Sequence, residues 1–216
     1  NGRKVLLHYG GGSVIRSGLL DRVKASLTSA GIEFVDLGGV RPNPRSGLVY
    51  EGIELCRREK VDFILAVGGG SAIDSAKAIA MGVPYDGDFW DFYAKKTDPV
   101  KALPVATVLT IPAAGSEGSE GSVITLEDGM LKRGINQQIT RPVFSIMNPE
   151  LTYTLPPYQT ACGCADMMAH VFERYLTNTT DVDFTDRLCE SVLQSLIRNI
   201  PIVMAEPENY GARANV

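Results

Sequence analysis

Apolar runs of strand length alternate with segments of helical spacing over the first two-thirds of the chain. In the helical segments the apolar residues recur three and four positions apart, which places them on one face. This alternation predicts an α/β fold with a mainly parallel sheet covered by helices. The predicted strands are Lys4–Tyr9, Glu33–Leu37, Val61–Val67 and Val105–Ile111, and the predicted helices are Ser17–Ala30, Gly47–Glu59 and Ser71–Met81.

The pattern changes near residue 150. A short strand is predicted at Val123–Leu126, whereas only helices are predicted from Pro156 onward. The second of these helices covers Asp181–Ile200, and Pro201 is expected to kink or end it. A third begins near Pro207 and has no stop signal before the last residue. We therefore predict an α/β domain over residues 1–150 and the start of an incomplete all-helical domain over residues 151–216.

Composition narrows the class of protein. The 216 residues are 44% hydrophobic and carry a net charge of −4, which argues against a nucleic-acid partner. No apolar run reaches the roughly 18–20 residues that cross a bilayer, so no membrane partner is expected. The four cysteines show neither zinc-ribbon nor CxxC spacing. We expect a reduced, cytoplasmic protein.

Two glycine turns share one plan, a strand followed by Gly-Gly-Gly-Ser and then a helix. They are Gly10–Ser13 and Gly68–Ser71. Glycine lets the backbone approach a ligand closely, and the start of a helix presents free N–H groups to an anion such as phosphate. Neither turn matches G-x-G-x-x-G or the P-loop. One such turn is equally well explained as a tight connection, but two in one sheet favour a bound dinucleotide.

Three features near these turns carry weaker signals. Asp74 is predicted to lie in the first turn of its helix, where the helix dipole explains it as well as a ligand does. Thr110 and Ser116 offer hydroxyl groups close to a strand end, where α/β sheets bind ligands. A flexible surface loop at Gly115–Ser122 explains that composition too. Lys132 has the length to reach a phosphate or ribose, although a lone lysine is usually a solvated side chain.

One pair of residues suggests a metal. Asp166 and His170 are four residues apart in a predicted helix, so their side chains share a face. A carboxylate beside an imidazole suits a divalent metal, but two ligands do not hold a catalytic metal. The only other histidine is His8, near the first residues. On this evidence alone a helix-surface pair is the commoner explanation.

Taken together, the motifs resemble the iron-containing (group III) alcohol dehydrogenases, in the branch of butanol dehydrogenases and broad-specificity aldehyde reductases. The resemblance covers nearly the whole chain and depends on the combination of motifs in this order. The motifs are YGGGS at Tyr9–Ser13, AVGGGSAIDSAKAIA at Ala66–Ala80, LTIPAAGSE at Leu109–Glu117, NPELTYTLPPYQTACG at Asn148–Gly163 and ADMMAHVFERYLT at Ala165–Thr177.

The resemblance implies a dehydroquinate synthase-like fold, in which a dinucleotide-binding α/β domain precedes an all-helical metal-binding domain. It also implies which positions contact a cofactor. By matching position, these are Gly69, Gly70 and Ser71 at the pyrophosphate, Thr110, Ser116, Val123 and Lys132 at the nicotinamide half with Leu151 and Thr154 nearby, and Gly10, Gly11 and Ser13 at the adenosine ribose. Asp74 is included among the expected contacts.

The first turn bears on the choice of cofactor. NAD-preferring relatives place an aspartate there to accept hydrogen bonds from the ribose hydroxyls. This chain has only glycine and serine at those positions, so a 2′-phosphate meets no charge repulsion. NADP(H) is therefore the expected cofactor and NAD the alternative. Ala114 departs from the threonine that relatives often carry, which removes a possible hydrogen bond to the cofactor.

The resemblance also identifies Asp166 and His170 as the first two ligands of Fe²⁺, with Zn²⁺ as the alternative. The other two ligands in the family are histidines of later helices. They would lie beyond Val216, and the chain therefore looks truncated, at its start as well as at its end.

The implied activity is reversible hydride transfer between NADP(H) and a small primary alcohol or aldehyde, with the metal acting as a Lewis acid. Three alternatives stay open. One is a glycerol dehydrogenase or another enzyme of the same fold, such as a dehydroquinate synthase. The second is a non-catalytic cofactor-binding fragment, and the third is a purely structural fragment. Open apolar helix faces favour association, so a homo-oligomer, a dimer, is expected.

Overall fold

The computed structural model describes residues 3–216, which form two compact units. The first contains the residues up to Leu109 together with Ser116–Ile146, and the second contains Thr110–Gly115 together with Met147–Val216. The predicted domain boundary after residue 150 stays a prediction. None of the helices in the described range has the length and apolar content needed to cross a membrane.

The first unit is built on a five-stranded sheet in which every neighbouring pair is parallel. Its strands are β1 (Lys4–Gly10), β2 (Glu33–Val40), β3 (Phe63–Gly68), β4 (Val105–Leu109) and β7 (Phe144–Ile146). Their order across the sheet is β2-β1-β3-β4-β7. The predicted α/β class with a mainly parallel sheet is therefore confirmed.

A separate antiparallel hairpin lies between β4 and β7 in the chain. It consists of β5 (Gly121–Leu126) and β6 (Leu131–Asn136), paired from Gly121 with Asn136 to Leu126 with Leu131. The predicted strand Val123–Leu126 is part of β5, but β6 was not predicted. Its residues are mostly exposed and polar, so they carry no alternating apolar pattern.

Eight α-helices occur among residues 3–216. In the second unit α6 begins at Pro157, which suits a first helical position because proline has no N–H to lose there. The helices are α1 (Ser13–Arg16), α2 (Leu19–Ser29), α3 (Ser46–Glu59), α4 (Gly70–Gly82), α5 (Trp90–Tyr93), α6 (Pro157–Tyr175), α7 (Asp183–Ala205) and α8 (Tyr210–Asn215).

Several predicted element boundaries are wrong. The helix predicted over Ser17–Ala30 begins only at Leu19, because Gly18 has a left-handed φ of 71° and separates α2 from the short α1. The strand predicted over Val105–Ile111 ends at Leu109. Pro201 lies inside α7 and does not end it, although a proline removes one helical hydrogen bond.

The core of the first unit is centred on α4, which is buried almost all round from Ala72 to Gly82. Small residues let this helix lie close to its neighbours. An added Cβ on Gly52 of α3 would lie only 2.4 Å from Cδ1 of Ile79, so any larger residue there would force the Ile79 side chain to move.

Candidate nucleotide and metal sites

The two glycine turns lie side by side at the carboxyl ends of β1 and β3. These strands are neighbours, and the chain continues to opposite sides of the sheet from them, to β2 and β4. Such a switch point is where open α/β sheets bind their ligands. An added Cβ on Gly68 would lie 4.0 Å from the backbone nitrogen of Gly10, so the turns are in contact range.

The second turn leads directly into α4. Gly69 is the N-cap, and its carbonyl accepts hydrogen bonds from the N–H groups of Ala72 and Ile73 at 3.0 and 3.2 Å. The N–H groups of Gly70 and Ser71 come before the first helical hydrogen bond, as at any helix start. An added Cβ on Gly70 would find only Ser116 Cβ, at 3.8 Å. No protein atom therefore requires glycine at position 70. The free space beside this glycine leaves room for ligand atoms.

The first turn leads only into the four-residue α1. Added Cβ atoms on Gly10 and Gly11 would lie 3.8 and 3.9 Å from the carbonyl oxygen of Val40, which is ordinary contact. The guanidinium of Arg16 folds back over the turn, with Nη1 2.5 Å from where a Cβ of Gly12 would be. The first turn therefore carries a cation and no carboxylate of its own.

A buried imidazole links β1 to β2 and to α4. His8 of β1 lies 2.9 Å through Nδ1 from the carbonyl oxygen of Leu37 and 2.8 Å through Nε2 from Oγ of Ser75. A carbonyl only accepts, so Nδ1 donates and Nε2 accepts from the Ser75 hydroxyl. Burial lowers the pKa of His8 to about 4, although its bond to Leu37 opposes that shift. Because both ring nitrogens are bonded within the protein, His8 is not a metal ligand here.

Asp74 does not lie in the first turn of α4, where it was predicted. The first turn of α4 holds no acidic residue, so Asp74 lies beyond the reach of the favourable dipole interaction expected for it. Its Oδ1 accepts a hydrogen bond of 2.6 Å from the hydroxyl of Ser116, and Oδ2 accepts one of 3.0 Å from the N–H of Val123. Burial raises its pKa, and these two bonds oppose that shift. The predicted cofactor contact of Asp74 stays a prediction.

Lys77, one turn further along α4, was not singled out from the sequence. Its side chain is fully buried, and Nζ donates to the carbonyl oxygens of Ser116, Ser119 and Gly121 at 2.7, 2.8 and 2.8 Å. Burial lowers its pKa to about 8. The sequence around Lys77 contains a signal for this role. A helix that is apolar on all sides is usually buried, and a lysine within such a helix must find its hydrogen-bond partners inside the protein.

The remaining carbonyls of this loop are bonded as well. Ser145 Oγ donates to Glu117 at 2.6 Å, and the guanidinium of Arg141 donates to Gly118. The carbonyl of Glu120 accepts from the N–H of Gln137 at 3.1 Å and from Thr140 Oγ1 at 3.2 Å. Each backbone carbonyl from Ser116 to Gly121 thus has a partner, so the segment is tied to the first unit and is not a loose surface loop.

The other predicted cofactor residues are distributed over both units. In the first unit Lys132 lies on the exposed strand β6, where Nζ donates to Asn43 Oδ1 at 2.7 Å. Ser13 is exposed in α1. In the second unit Thr110 and Leu151 are half-buried and Thr154 is exposed. Their roles stay predictions.

The structure places the side chains of Asp166 and His170 next to each other on α6. Oδ1 of Asp166 lies 3.8 Å from Nε2 of His170, and both side chains are partly exposed, at 49% and 42%. Glu173 approaches the other ring nitrogen at 3.9 Å. His170 and Arg174 line a cavity of about 370 Å³ within the second unit.

These groups fit part of a metal site. A carboxylate and an imidazole are suitable donors for a divalent transition metal. No cluster of three or more potential metal-ligating side chains occurs anywhere in residues 3–216. The described residues therefore supply an adjacent pair of donors and not a full coordination sphere.

Two family models match the chain. One, described as iron-containing alcohol dehydrogenase, matches residues 1–149. The other, described as the C-terminal part of the Fe-containing alcohol dehydrogenase family, matches residues 160–216. Together they include both glycine turns and the Asp166–His170 pair.

Curated relatives and solved structures agree with these matches. The chain is 47% identical over 215 residues to the probable NADH-dependent butanol dehydrogenase 1 of Bacillus subtilis, covering 100% of this chain and 56% of the relative. It is 41% identical to the NADPH-dependent aldehyde reductase YqhD of Escherichia coli, covering 99% and 55%.

The fold is similar to the crystal structure of NADH-dependent butanol dehydrogenase A from Thermotoga maritima, with a TM-score of 0.96 and 40% identity. That match covers 99% of this chain and 54% of the other. The chain therefore spans little more than half the length of the relatives it matches.

Proposed function

This chain belongs to the iron-containing alcohol dehydrogenase family, and we propose that the complete protein transfers a hydride between a nicotinamide dinucleotide and a primary alcohol or aldehyde. The observation that carries this proposal is the pair of Gly-Gly-Gly-Ser turns side by side at the switch point of the sheet. A dinucleotide has a pyrophosphate at its centre and an adenosine ribose on one side of it, and both must be held. Two adjacent turns of this kind suit those two parts of one molecule.

The second turn suits the pyrophosphate. The N–H groups of Gly70 and Ser71 are at the start of a 13-residue helix, where an anion is favoured by free donors and by the helix dipole. The space beside Gly70 admits the close backbone approach that a phosphate needs. The first turn, Gly10–Ser13, is then left for the adenosine ribose.

The finer proposal is that the cofactor is NADP(H), with NAD as the alternative. The first turn holds no carboxylate to compete with a 2′-phosphate, and the guanidinium of Arg16 lies against it. Arginine pairs well with phosphate because its planar fork can donate two hydrogen bonds. The names of the relatives include both NADH-dependent and NADPH-dependent enzymes, so they do not decide between the two cofactors. The proposal of NADP(H) therefore depends on the residues of the first turn.

Asp166 and His170 are proposed to hold a divalent metal, Fe²⁺ or alternatively Zn²⁺. When bound, the dinucleotide supplies or accepts the hydride, and the metal polarises the oxygen of the alcohol or aldehyde. The residues of this chain bind and orient. Ser116, Val123 and Lys132 are proposed to contact the nicotinamide half, together with Thr110, Leu151 and Thr154. Two further metal ligands are proposed to come from the part of the relatives that this chain does not span.

The test is NADPH oxidation with butanal by the complete protein, with Fe²⁺ or Zn²⁺ added under anaerobic conditions. Metal-dependent oxidation of NADPH is the expected result. Asp166→Asn should abolish both metal retention and turnover, because it removes the anionic donor and keeps the shape. Glu173→Gln is the matched control, since Glu173 also approaches His170 but is not a proposed ligand; its activity should be unchanged.

Two outcomes would contradict the proposal. NADPH binding without turnover under any metal condition would favour a non-catalytic cofactor-binding protein. Absence of binding by either NADPH or NADH would favour a purely structural role. Homodimer formation and a cytoplasmic location stay predictions, and light scattering of the purified protein tests the first.

A further inference from the structure

The loop between β4 and β5 is held from inside the protein by two residues on one face of α4. Asp74 and Lys77 are three positions apart, so they lie on the same side of the helix. Asp74 accepts one hydrogen bond from the hydroxyl of Ser116 in the loop and one from the N–H of Val123 in β5. Lys77 donates to the carbonyls of Ser116, Ser119 and Gly121. The helix therefore holds both the loop and the start of the strand that follows it.

All three N–H donors of the Lys77 ammonium group can bond to this loop. An ammonium has three N–H donors, and three carbonyl oxygens lie at 2.7–2.8 Å, with Ser116 Oγ further away at 3.2 Å. The side chain has no exposed surface. The charge is balanced nearby by Asp74 on the same helix and by Glu117 and Glu120 of the loop, although Arg141 opposes them.

The same helix begins at the second glycine turn. An added Cβ on Gly70 would lie 3.8 Å from Ser116 Cβ, so the loop held by Lys77 contacts the start of α4. A shift of the loop relative to α4 would therefore change the distance between the proposed pyrophosphate contacts and the proposed nicotinamide contacts at Ser116 and Val123.

We propose that Lys77 is a positioning residue, which holds the loop Ser116–Gly121 against the start of α4 so that the nicotinamide half of the cofactor binds in one orientation. This inference rests on the proposed function. Packing alone does not explain the lysine, since a methionine would fill the same core space without burying a charge. A methionine would, however, leave three carbonyls without this donor, one buried and two partly buried, and an unbonded buried carbonyl is unfavourable.

The test compares Lys77→Met with the wild type in the complete protein, using two probes. NADPH reports on the whole site, whereas 2′-phospho-ADP-ribose has the adenosine and pyrophosphate but no nicotinamide. The dissociation constant of NADPH should rise roughly tenfold in the variant. That of the nicotinamide-free probe should stay within about twofold, because its contacts are at the glycine turns. Lys77→Gln keeps two N–H donors, so it should give an intermediate loss and serves if Lys77→Met fails to fold.

Two control variants separate positioning from general stability. Ile79→Val removes a methyl group from the same helix where it packs on Gly52, away from the loop. It should lower the unfolding temperature and leave both dissociation constants unchanged. Ser119→Ala removes only a hydroxyl, which accepts a long 3.3 Å bond from the N–H of Gly121, and keeps the carbonyl that Lys77 contacts. It should also bind both probes as the wild type does.

The outcomes distinguish this inference from the proposed function. A selective loss for NADPH supports the positioning role. Equal weakening of both probes, or no weakening of either, would overturn it while the wild type still binds NADPH. A wild type that binds neither probe would instead contradict the proposed function and this inference together.

Discussion

The two glycine turns have the same four residues and follow neighbouring strands, yet they lead into different structures. Gly68–Ser71 opens a helix of 13 residues that is almost wholly buried. Gly10–Ser13 opens a helix of four residues, of which only Val14 is buried. The local sequence thus specifies a turn, and what the turn does depends on the residues that follow.

Those residues differ in a simple way. After Ser71 come alanines and isoleucines that pack on every side, so a long helix stays buried and its start is fixed. After Ser13 the chain reaches Gly18, whose left-handed conformation ends the helix early. The first turn therefore relies on side chains near it, such as Arg16, and the second on the helix behind it. Substitutions at Gly70 and Arg16 test this difference.

Acidification tests the buried His8 of the strand that precedes the first turn, and its expected effect is the largest. The pKa of His8 is about 4 in the folded protein and 6.5 when unperturbed, so between these values the unfolded chain binds more protons. The contribution of His8 to the free energy of unfolding should therefore fall by about 3 kcal/mol as the pH drops from 7 to 4. Urea unfolding at each pH measures this.

The control for that series is His8→Asn. Asparagine keeps a side-chain N–H for the carbonyl of Leu37 but does not titrate in this range. The variant should be less dependent on pH between 7 and 4 than the wild type. Identical pH dependence in the two proteins would contradict a buried neutral imidazole.

Gly70→Ala tests the second turn. The protein has space for the methyl group, and alanine is favoured over glycine in a helix, so the free energy of unfolding should be unchanged or up to about 1 kcal/mol higher. NADPH binding should weaken roughly 100-fold, because the methyl group displaces the pyrophosphate. Fluorescence titration and thermal unfolding measure the two quantities.

Gly52→Ala is the matched change elsewhere. Its methyl group would lie 2.4 Å from Cδ1 of Ile79, so stability should fall and NADPH affinity should not. If Gly70→Ala instead bound NADPH as tightly as the wild type, the second turn would not be the pyrophosphate site.

Arg16→Gln tests the first turn and has the smallest expected effect. NADPH affinity should fall roughly tenfold, the size expected for one charge-assisted phosphate contact, and NADH affinity should not change. Arg22→Gln on α2 removes the same charge nearby and should alter neither. Equal losses for NADPH and NADH in Arg16→Gln would show that Arg16 does not read the 2′-phosphate.

Much of the first unit follows from the sequence because its signals are local. Buried parallel strands are continuous apolar runs, and both glycine turns occur where such runs end. The sequence does not show which residues far apart in the chain contact each other. β6 is a strand because β5 pairs with it, and Lys77 is satisfied by carbonyls 39 to 44 residues away. No local pattern records either fact.

The pair Asp166 and His170 shows the same difference between local signals and long-range contacts. Helical spacing alone places Asp166 beside His170, and the structure gives 3.8 Å between them. Whether such a pair is a site or a surface contact depends on groups far away in the chain. Pro201 is a related case, since its position inside α7 depends on the packing of the whole helix rather than on local preference.

The central claim is that two turns of identical sequence hold the pyrophosphate and the adenosine ribose of one dinucleotide. A crystal structure of the complete protein with NADP tests it most directly. We predict pyrophosphate oxygens within hydrogen-bond distance of the N–H groups of Gly70 and Ser71, with the 2′-phosphate beside Arg16 at the first turn. A nucleotide bound in the reverse direction, or at any other edge of the sheet, would contradict the account.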